Sequence, residues 1–204
     1  MASVAAMNPP RPARRYTLGA IAFHWAIAVL ILLNIYLGWH MNRIAGLDRF
    51  SQFQLHKSVG ITVLALSVLR VAWRLAHRPP PYPASMSRWE RLAATATHWS
   101  FYALMLIMPL TGWVIVSASA LNLPTLLYKT IPLAHIGFVH DQPMPVRLAI
   151  EGNFGTTHVL LAYLFGALIL LHIAAALKHQ FVQGDGVLLR MLPGRSAPQA
   201  AQAR

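Results

Sequence analysis

Two histidines lie inside one long apolar run of the sequence, "TTHVLLAYLFGALILLHIAAAL" at residues 156–177. Fourteen positions separate His158 from His172. In an α-helix that step is about 40° short of four full turns, so both side chains occupy one helix face. At about 1.5 Å per residue they are separated by about 21 Å along the helix axis. This spacing is too long for one metal centre and suits two centres stacked at different depths.

Each of these histidines would need a partner imidazole on another element. An iron with six ligands holds two imidazoles on opposite sides through bonds of about 2 Å, so the ligand nitrogens lie about 4 Å apart. The sequence has ten histidines and no cysteine. The lack of cysteine excludes structural disulfides, thiolate-bound zinc, iron–sulfur clusters and covalently attached c-type haem. Any cofactor is therefore expected to be held by other ligands, and histidine is the obvious one.

The elements that must position the histidines are four apolar segments. Hydrophobic residues make up 56% of the 204-residue chain and charged residues 11%, against about 25% charged in soluble domains. Four segments approach the roughly 20 residues needed to cross a bilayer, at 18–39, 56–75, 97–117 and 156–177. The first follows three arginines like a signal peptide, but its length and the lack of an A-x-A site favour a retained helix. The sequence predicts an all-α integral membrane four-helix bundle.

The positive charges predict the orientation of the bundle. The formal charge of +12 lies between the apolar runs, as topology signals do, so nucleic-acid binding is not expected. Twelve of the seventeen cations fall on one side, which predicts both termini in the cytoplasm, with tails at 1–17 and 181–204 around a domain at 18–180. The twelve are Arg11, Arg14, Arg15, Arg70, Arg74, Arg78, Arg88, Arg91, Lys178, Arg190, Arg195 and Arg204. The other five are Arg43, Arg49, Lys57, Lys129 and Arg147.

Depth along the segments pairs the histidines. His24 lies about 9 Å from the inner end of the first segment, and His172 about 8–13 Å from the same side. His56 and His158 each open a segment at the outer face. Depth therefore pairs His24 with His172, and His56 with His158. Each of the four is followed four positions later by a small residue that would leave room for a flat ring, namely Ala28, Gly60, Ala162 and Ala176.

The other six histidines leave alternatives open. His98 competes for the inner centre and otherwise bonds a carboxylate or lines a quinone pocket; Tyr102, not a small residue, follows it at the fourth position. His40 is about 160° round the helix from His24 and faces away. The remaining four are placed at the membrane surface (His77 and His179) or in the outer connection, where they could bind metal or substrate (His135 and His140).

The outer connection at 119–155 contains four prolines and no apolar span. Within it "MPVRLAIEG" is expected to form a short interfacial helix. Pro109 is expected to kink the third segment. Trp113 in "LTGW" is either a quinone neighbour or an interfacial anchor.

Several motifs in order resemble those of the prokaryotic cytochrome b-561 family. They run from about Tyr16 to Pro193 and include "FHW", "LHKSVG", "RPPPYP", "RWERLAATATHWS", "LTGW" and "DGVLLRMLP". The resemblance implies a four-helix bacterial inner-membrane protein that encloses two non-covalent b-type haems with bis-histidine ligation. The family's ligand positions fall on the four histidines that depth and face select.

The resemblance also implies a function in electron transport. Two imidazoles leave haem iron no open position, which suits one-electron transfer. The expected partners are lipid, a quinone such as ubiquinone, and a periplasmic redox donor or superoxide, since some relatives resemble superoxide:ubiquinone oxidoreductases. The alternative is a non-catalytic membrane anchor and electron relay for a dehydrogenase or a periplasmic partner. A metal or proton transporter is disfavoured because the apolar segments lack Asp and Glu.

Three cations are candidate partners for haem propionates, because a partly buried carboxylate needs a cation or other donors. They are Arg70, Arg74 and Lys57. The alternative for all three is snorkelling to the membrane interface.

Overall fold

The computed structural model describes residues 15–194, and four long helices make up most of them. In chain order the elements are α1 (Leu18–His40), α2 (Gly46–Ala76), α3 (Arg88–Ala118), strands β1 (Thr125–Leu127) and β2 (Ile131–Leu133), the short α4 (Gly137–His140) and α5 (Met144–Leu177). The four long helices are all apolar and long enough to cross a membrane. The predicted helical membrane bundle is confirmed.

The bundle buries a small apolar core and exposes apolar side chains around it. The core consists of Ile27, Leu37, Val59, Val63, Leu104, Met105 and Phe165. Leu160, Tyr163 and Leu170 on α5 are 63%, 76% and 71% exposed. A soluble protein would bury such a face, whereas lipid tails solvate it at no cost, so the exposure agrees with membrane insertion.

Helices α2 and α5 are longer than the apolar segments that predict them. The additional turns carry polar residues and extend beyond the hydrophobic window, so hydropathy alone misses them. "MPVRLAIEG" is not a separate interfacial helix but the beginning of α5, with proline in the first turn, where its missing N–H costs nothing. Pro109 lies inside α3, which continues through it to Ala118.

The outer connection folds over α2. Strands β1 and β2 form an antiparallel hairpin that hydropathy does not predict. Gln54 on α2 donates to the Pro124 carbonyl at 2.9 Å, and the Tyr128 N–H donates to Ser58 Oγ at 2.9 Å. The Tyr128 hydroxyl lies 2.6 Å from Thr62 Oγ1. The hairpin is thus fastened to the outer half of α2 along about two helical turns, from Gln54 to Thr62.

Beyond α5 the chain turns back against the inner end of the bundle. A π-helical turn (Lys178–Val182) and a 3-10 turn (Leu188–Met191) follow. Trp25 Nε1 donates to the Met191 carbonyl at 2.7 Å. His179 is buried and its Nδ1 lies 2.6 Å from Asp185 Oδ2. The prediction that His179 sits among headgroups is therefore wrong, because a carboxylate six positions along the chain satisfies it. Of the predicted cytoplasmic cations, Arg11, Arg14, Arg195 and Arg204 lie outside the described residues.

Candidate functional site

The structure brings the four singled-out histidines together as two pairs. The ring centroids of His24 (α1) and His172 (α5) are 6.2 Å apart. Those of His56 (α2) and His158 (α5) are also 6.2 Å apart. Two imidazoles in trans on one iron, with bonds of about 2 Å and ring centres about 1 Å beyond each nitrogen, place their centroids about 6 Å apart. Both pairs stand at that separation.

The helices that carry each pair leave a space between them. Helix α3 packs on α5 and on α2, and α2 packs on α1. Across residues 15–194, neither α1 nor α2 packs closely against α5. The paired side chains therefore meet across gaps rather than across a packed helix interface. A flat cofactor needs such a gap.

The outer pair borders a partly open cavity of about 690 Å³. This volume lies within the roughly 300–1,000 Å³ typical of cofactor pockets. Gly60 and Ala162, two of the small residues noted in the sequence, line it. Its other walls include Ile31, Val63, Met105, Met108, Gly112 and Phe165. A cavity that is apolar, roomy and bordered by two imidazoles fits a haem.

Hydrogen bonds fix the orientation of the outer histidines. His56 Nδ1 donates to the Asn34 carbonyl at 3.1 Å. The Thr111 hydroxyl donates to the Met108 carbonyl at 2.7 Å, so it accepts from His158 Nδ1 at 2.8 Å. With the proton on Nδ1, each ring keeps the Nε2 lone pair free for a metal. Sequence reasoning missed Asn34 and Thr111, although Thr111 lies in the "LTGW" motif.

Two glycines allow the outer histidines to fit. A Cβ on Gly38 would lie 3.2 Å from His56 Cε1, and one on Gly112 would lie 3.5 Å from His158 Cε1. Both glycines precede a tryptophan, in "LGW" at 37–39 and "TGW" at 111–113. This shared signal could have identified them from the sequence. The space for an added Cβ is smaller at Gly38 than at Gly112.

We expect Gly38→Ala to disturb the outer centre selectively. The added methyl would press on the His56 ring and displace it by a few tenths of an ångström, which weakens a ligand held at fixed bond length. A haem held by His56 and His158 would be retained about tenfold less during purification, by analogy with the loss of an orienting group. Haem absorbance per protein measures it. Gly166→Ala is the matched control, since nothing lies within 4 Å of a Cβ there, and equal losses in both variants would contradict the assignment.

The inner pair has a third imidazole beside it. The His98 ring centroid on α3 lies 5.9 Å from that of His172, so distance alone does not choose between His24 and His98 as its partner. Arg70 donates to His24 Nδ1 at 3.2 Å. Binding a metal through Nε2 would place the proton on Nδ1, so Arg70 would have to release His24 and would become available to an anion.

The three predicted propionate partners lie at the two ends of the bundle. Arg70 and Arg74 line a small inner cavity of about 60 Å³ together with Arg15, Arg78 and Tyr102. Lys57 lines the outer cavity, where its Nζ donates to Thr125 Oγ1 at 3.0 Å. Arg70 thus contacts an inner histidine, Lys57 borders the outer cavity, and Arg74 lies one helical turn beyond Arg70. Trp113 also lines the outer cavity.

Comparison with known proteins agrees with this arrangement. The family model described as prokaryotic cytochrome b561 matches residues 15–194. Cytochrome b561 homolog 2 of Escherichia coli K12 is 32% identical over 186 residues, which cover 90% of this chain and 93% of that protein. The probable superoxide oxidase CybB of Yersinia pestis is 27% identical over 184 residues, 88% of this chain and 97% of that protein. Cytochrome b562 of Cereibacter sphaeroides is 28% identical over 190 residues, with 88% and 96% coverage. Paired imidazoles in a membrane bundle and a match across nearly the whole chain lead to one conclusion: this protein belongs to the prokaryotic cytochrome b561 family of membrane-integral, haem-binding electron-transport proteins.

Proposed function

We propose that the protein is a di-haem b-type cytochrome that transfers single electrons across the bacterial inner membrane and exchanges them with the quinone pool. The observation that carries the proposal is the presence of two histidine pairs, each with ring centroids 6.2 Å apart, at two levels of one helix. When bound, a bis-imidazole haem supplies one-electron chemistry without an open coordination position.

The proposed ligands are His24 and His172 for the inner haem, and His56 and His158 for the outer haem. The Asn34 carbonyl and the Thr111 hydroxyl hold the outer rings with Nε2 free. Arg70 and Arg74 at the inner level, and Lys57 at the outer level, would neutralise propionates. These cations would lower the cost of burying carboxylates in the bilayer.

Aromatic side chains fill the space between the two levels. The Phe101 and Phe165 ring centroids are 5.8 Å apart, and Phe101 lies 5.3 Å from His172. Phe165 is buried and lines the outer cavity. The two rings therefore connect the outer site to the inner histidines through direct packing. Apolar rings at this position would lower the local dielectric constant around the proposed haems.

The proposed orientation places both termini in the cytoplasm, with tails at 1–17 and 181–204 and the helical domain at 18–180. The distribution of cations supports it. On this orientation the outer cavity and the hairpin face the periplasm. The inner arginines then lie at the cytoplasmic end.

A finer proposal is that the outer cavity accepts electrons from superoxide. Two superoxide anions would be oxidised to dioxygen while one ubiquinone and two protons become ubiquinol. Support comes from the Yersinia relative named as a probable superoxide oxidase. It also comes from Arg43 and Lys57, which line the outer cavity. Cations at a cavity mouth raise the encounter rate of an anion. The alternative is an anchor and relay subunit for a dehydrogenase or a periplasmic partner.

The experiment is to mix haem-loaded protein with superoxide and a soluble ubiquinone analogue in a stopped-flow instrument. We expect quinol to form, with a second-order rate for superoxide that falls as ionic strength rises. The double variant R43Q/K57Q should lower that rate about tenfold at low salt, within the range of electrostatic steering. The control K129Q, in the hairpin turn, should change it much less.

A haem-loaded protein that superoxide does not reduce would overturn the superoxide proposal and leave the relay function. A purified protein without a b-type reduced-minus-oxidised band would overturn both. Equal rates in R43Q/K57Q and wild type would exclude a steering role for the two cations.

A further inference from the structure

We propose that His135 and His140, in the outer connection, form a binding site for a divalent transition-metal ion, Zn²⁺ or Cu²⁺, separate from the haems. Their ring centroids are 5.0 Å apart, with the ring planes at 42°. This pair lies in the outer connection, not at either level of haem ligands. Nothing in the electron-transfer function uses it.

The separation indicates the geometry of the ligands. With bonds of about 2 Å and ring centres about 1 Å beyond each nitrogen, two imidazoles on one tetrahedral ion place their centroids about 5 Å apart. Two imidazoles in trans would place them about 6 Å apart, as the haem-level pairs do. The distance between ring centroids therefore distinguishes the pair in the outer connection, which fits cis ligands, from the two pairs in the bundle, which fit trans ligands.

The hydrogen bonds of the two rings leave nitrogens available. His140 Nδ1 donates to the Ser117 carbonyl at 3.3 Å, so its Nε2 keeps a free lone pair. His135 Nε2 is buried and has no hydrogen-bond partner among residues 15–194. A buried polar atom without a partner costs free energy, and a bound cation is one way to satisfy it. Imidazoles that donate through one nitrogen and ligate through the other are the usual arrangement at metal sites.

The backbone around the pair is held firmly to α3. Trp113 Nε1 donates to the Ala134 carbonyl at 3.0 Å, immediately before His135. The Ile136 N–H, immediately after it, donates to Ser117 Oγ at 2.9 Å. Ser117 is fully buried. The short α4 then carries the chain to His140. The site is thus pre-formed, which reduces the ordering cost of binding an ion.

The ligand set indicates the class of ion. Imidazole suits zinc and copper, and affinity rises toward Cu²⁺ in the first-row series. No cluster of three or more His, Asp or Glu that could hold a metal occurs in the described part of the chain. The ion would therefore keep water at its remaining positions. An open position is the arrangement of exchangeable or reactive metal sites rather than of closed structural ones.

The test uses full-length, haem-loaded protein from which any affinity tag has been removed, in nanodiscs and after treatment with a chelator. Calorimetric titration with Zn²⁺ should show one ion per chain. H135Q and H140Q should each weaken binding at least about tenfold. H40Q is the matched control, since His40 is an outer-side histidine occupied by Gln52 at 2.9 Å, and it should bind Zn²⁺ like wild type.

A second measurement on the unaltered protein makes the test independent of any variant. The electron paramagnetic resonance spectrum with one equivalent of Cu²⁺ should show two imidazole nitrogens. One nitrogen or none, or Zn²⁺ affinity unchanged in H135Q and H140Q, would overturn the site. So would loss of binding in only one of the two. The haem absorbance of each variant should stay at the wild-type level, so failure here is distinguishable from failure of the proposed electron-transfer function.

Discussion

On the proposed two-haem ligation, the His158→Ala variant is expected to bind one haem per chain instead of two and to lose the outer one. On the proposed ligation, alanine would remove one of the two histidines that hold the ring, which would have no covalent attachment to cysteine because the chain has none. His56→Ala should lose the same haem, whereas His172→Ala should lose the inner haem alone. Haem-to-protein ratios measure the number lost, and redox titration of the remaining band identifies which centre survives.

The comparison among these variants tests the pairing itself. His158→Ala and His56→Ala should leave the same residual redox component, and His172→Ala the other one. If His158→Ala and His172→Ala lost the same component, the two-level arrangement would be refuted. His40→Ala is the matched control. Its ring stacks on Tyr36 at 5.4 Å, so both haems should remain.

The second large effect concerns the partner of His172. We expect His24→Ala to lose the inner haem and His98→Ala to keep it. Both rings lie near His172, at 6.2 Å and 5.9 Å. However, His98 reaches His172 from α3, which packs directly on α5, whereas His24 reaches it from α1 across a gap. A macrocycle needs the gap. Inner-haem absorbance after purification in the presence of excess haem measures the outcome.

The size of the residue four positions after each of the two histidines favours the same choice. Four positions after His24 stands Ala28, whereas four positions after His98 stands Tyr102. The Tyr102 ring lies 5.6 Å from the Arg70 guanidinium. His98→Ala is expected to alter the potential of the inner centre rather than its occupancy, since an imidazole beside a ligand changes the local field. Loss of the inner haem in His98→Ala with retention in His24→Ala would reverse the assignment.

Much of the fold follows from local properties of the sequence. A helix period and a bilayer thickness are both fixed lengths, so hydropathy finds the four spans, and residue counts place His24 and His172 at one depth. The same counts place His56 and His158 at the other. Hydropathy and residue counts do not predict the structure where the chain leaves the apolar segments. The first turns of α5 follow a proline and have no side-chain cap, and the hairpin at 125–133 is held by contacts with α2.

The sequence by itself determined the membrane class, the number of spans and the depth of each candidate ligand, because these depend on neighbours along one helix. Only the tertiary structure decided which helices pack together and which stand apart. It therefore identified the gap across which His24 faces His172, and the contact of His98 with the same ring. It also identified the acceptors Asn34 and Thr111, and the approach of the His135 and His140 ring centroids to 5.0 Å. The physical reason is that depth is a property of one helix, whereas facing direction and distance belong to pairs of helices brought together by packing.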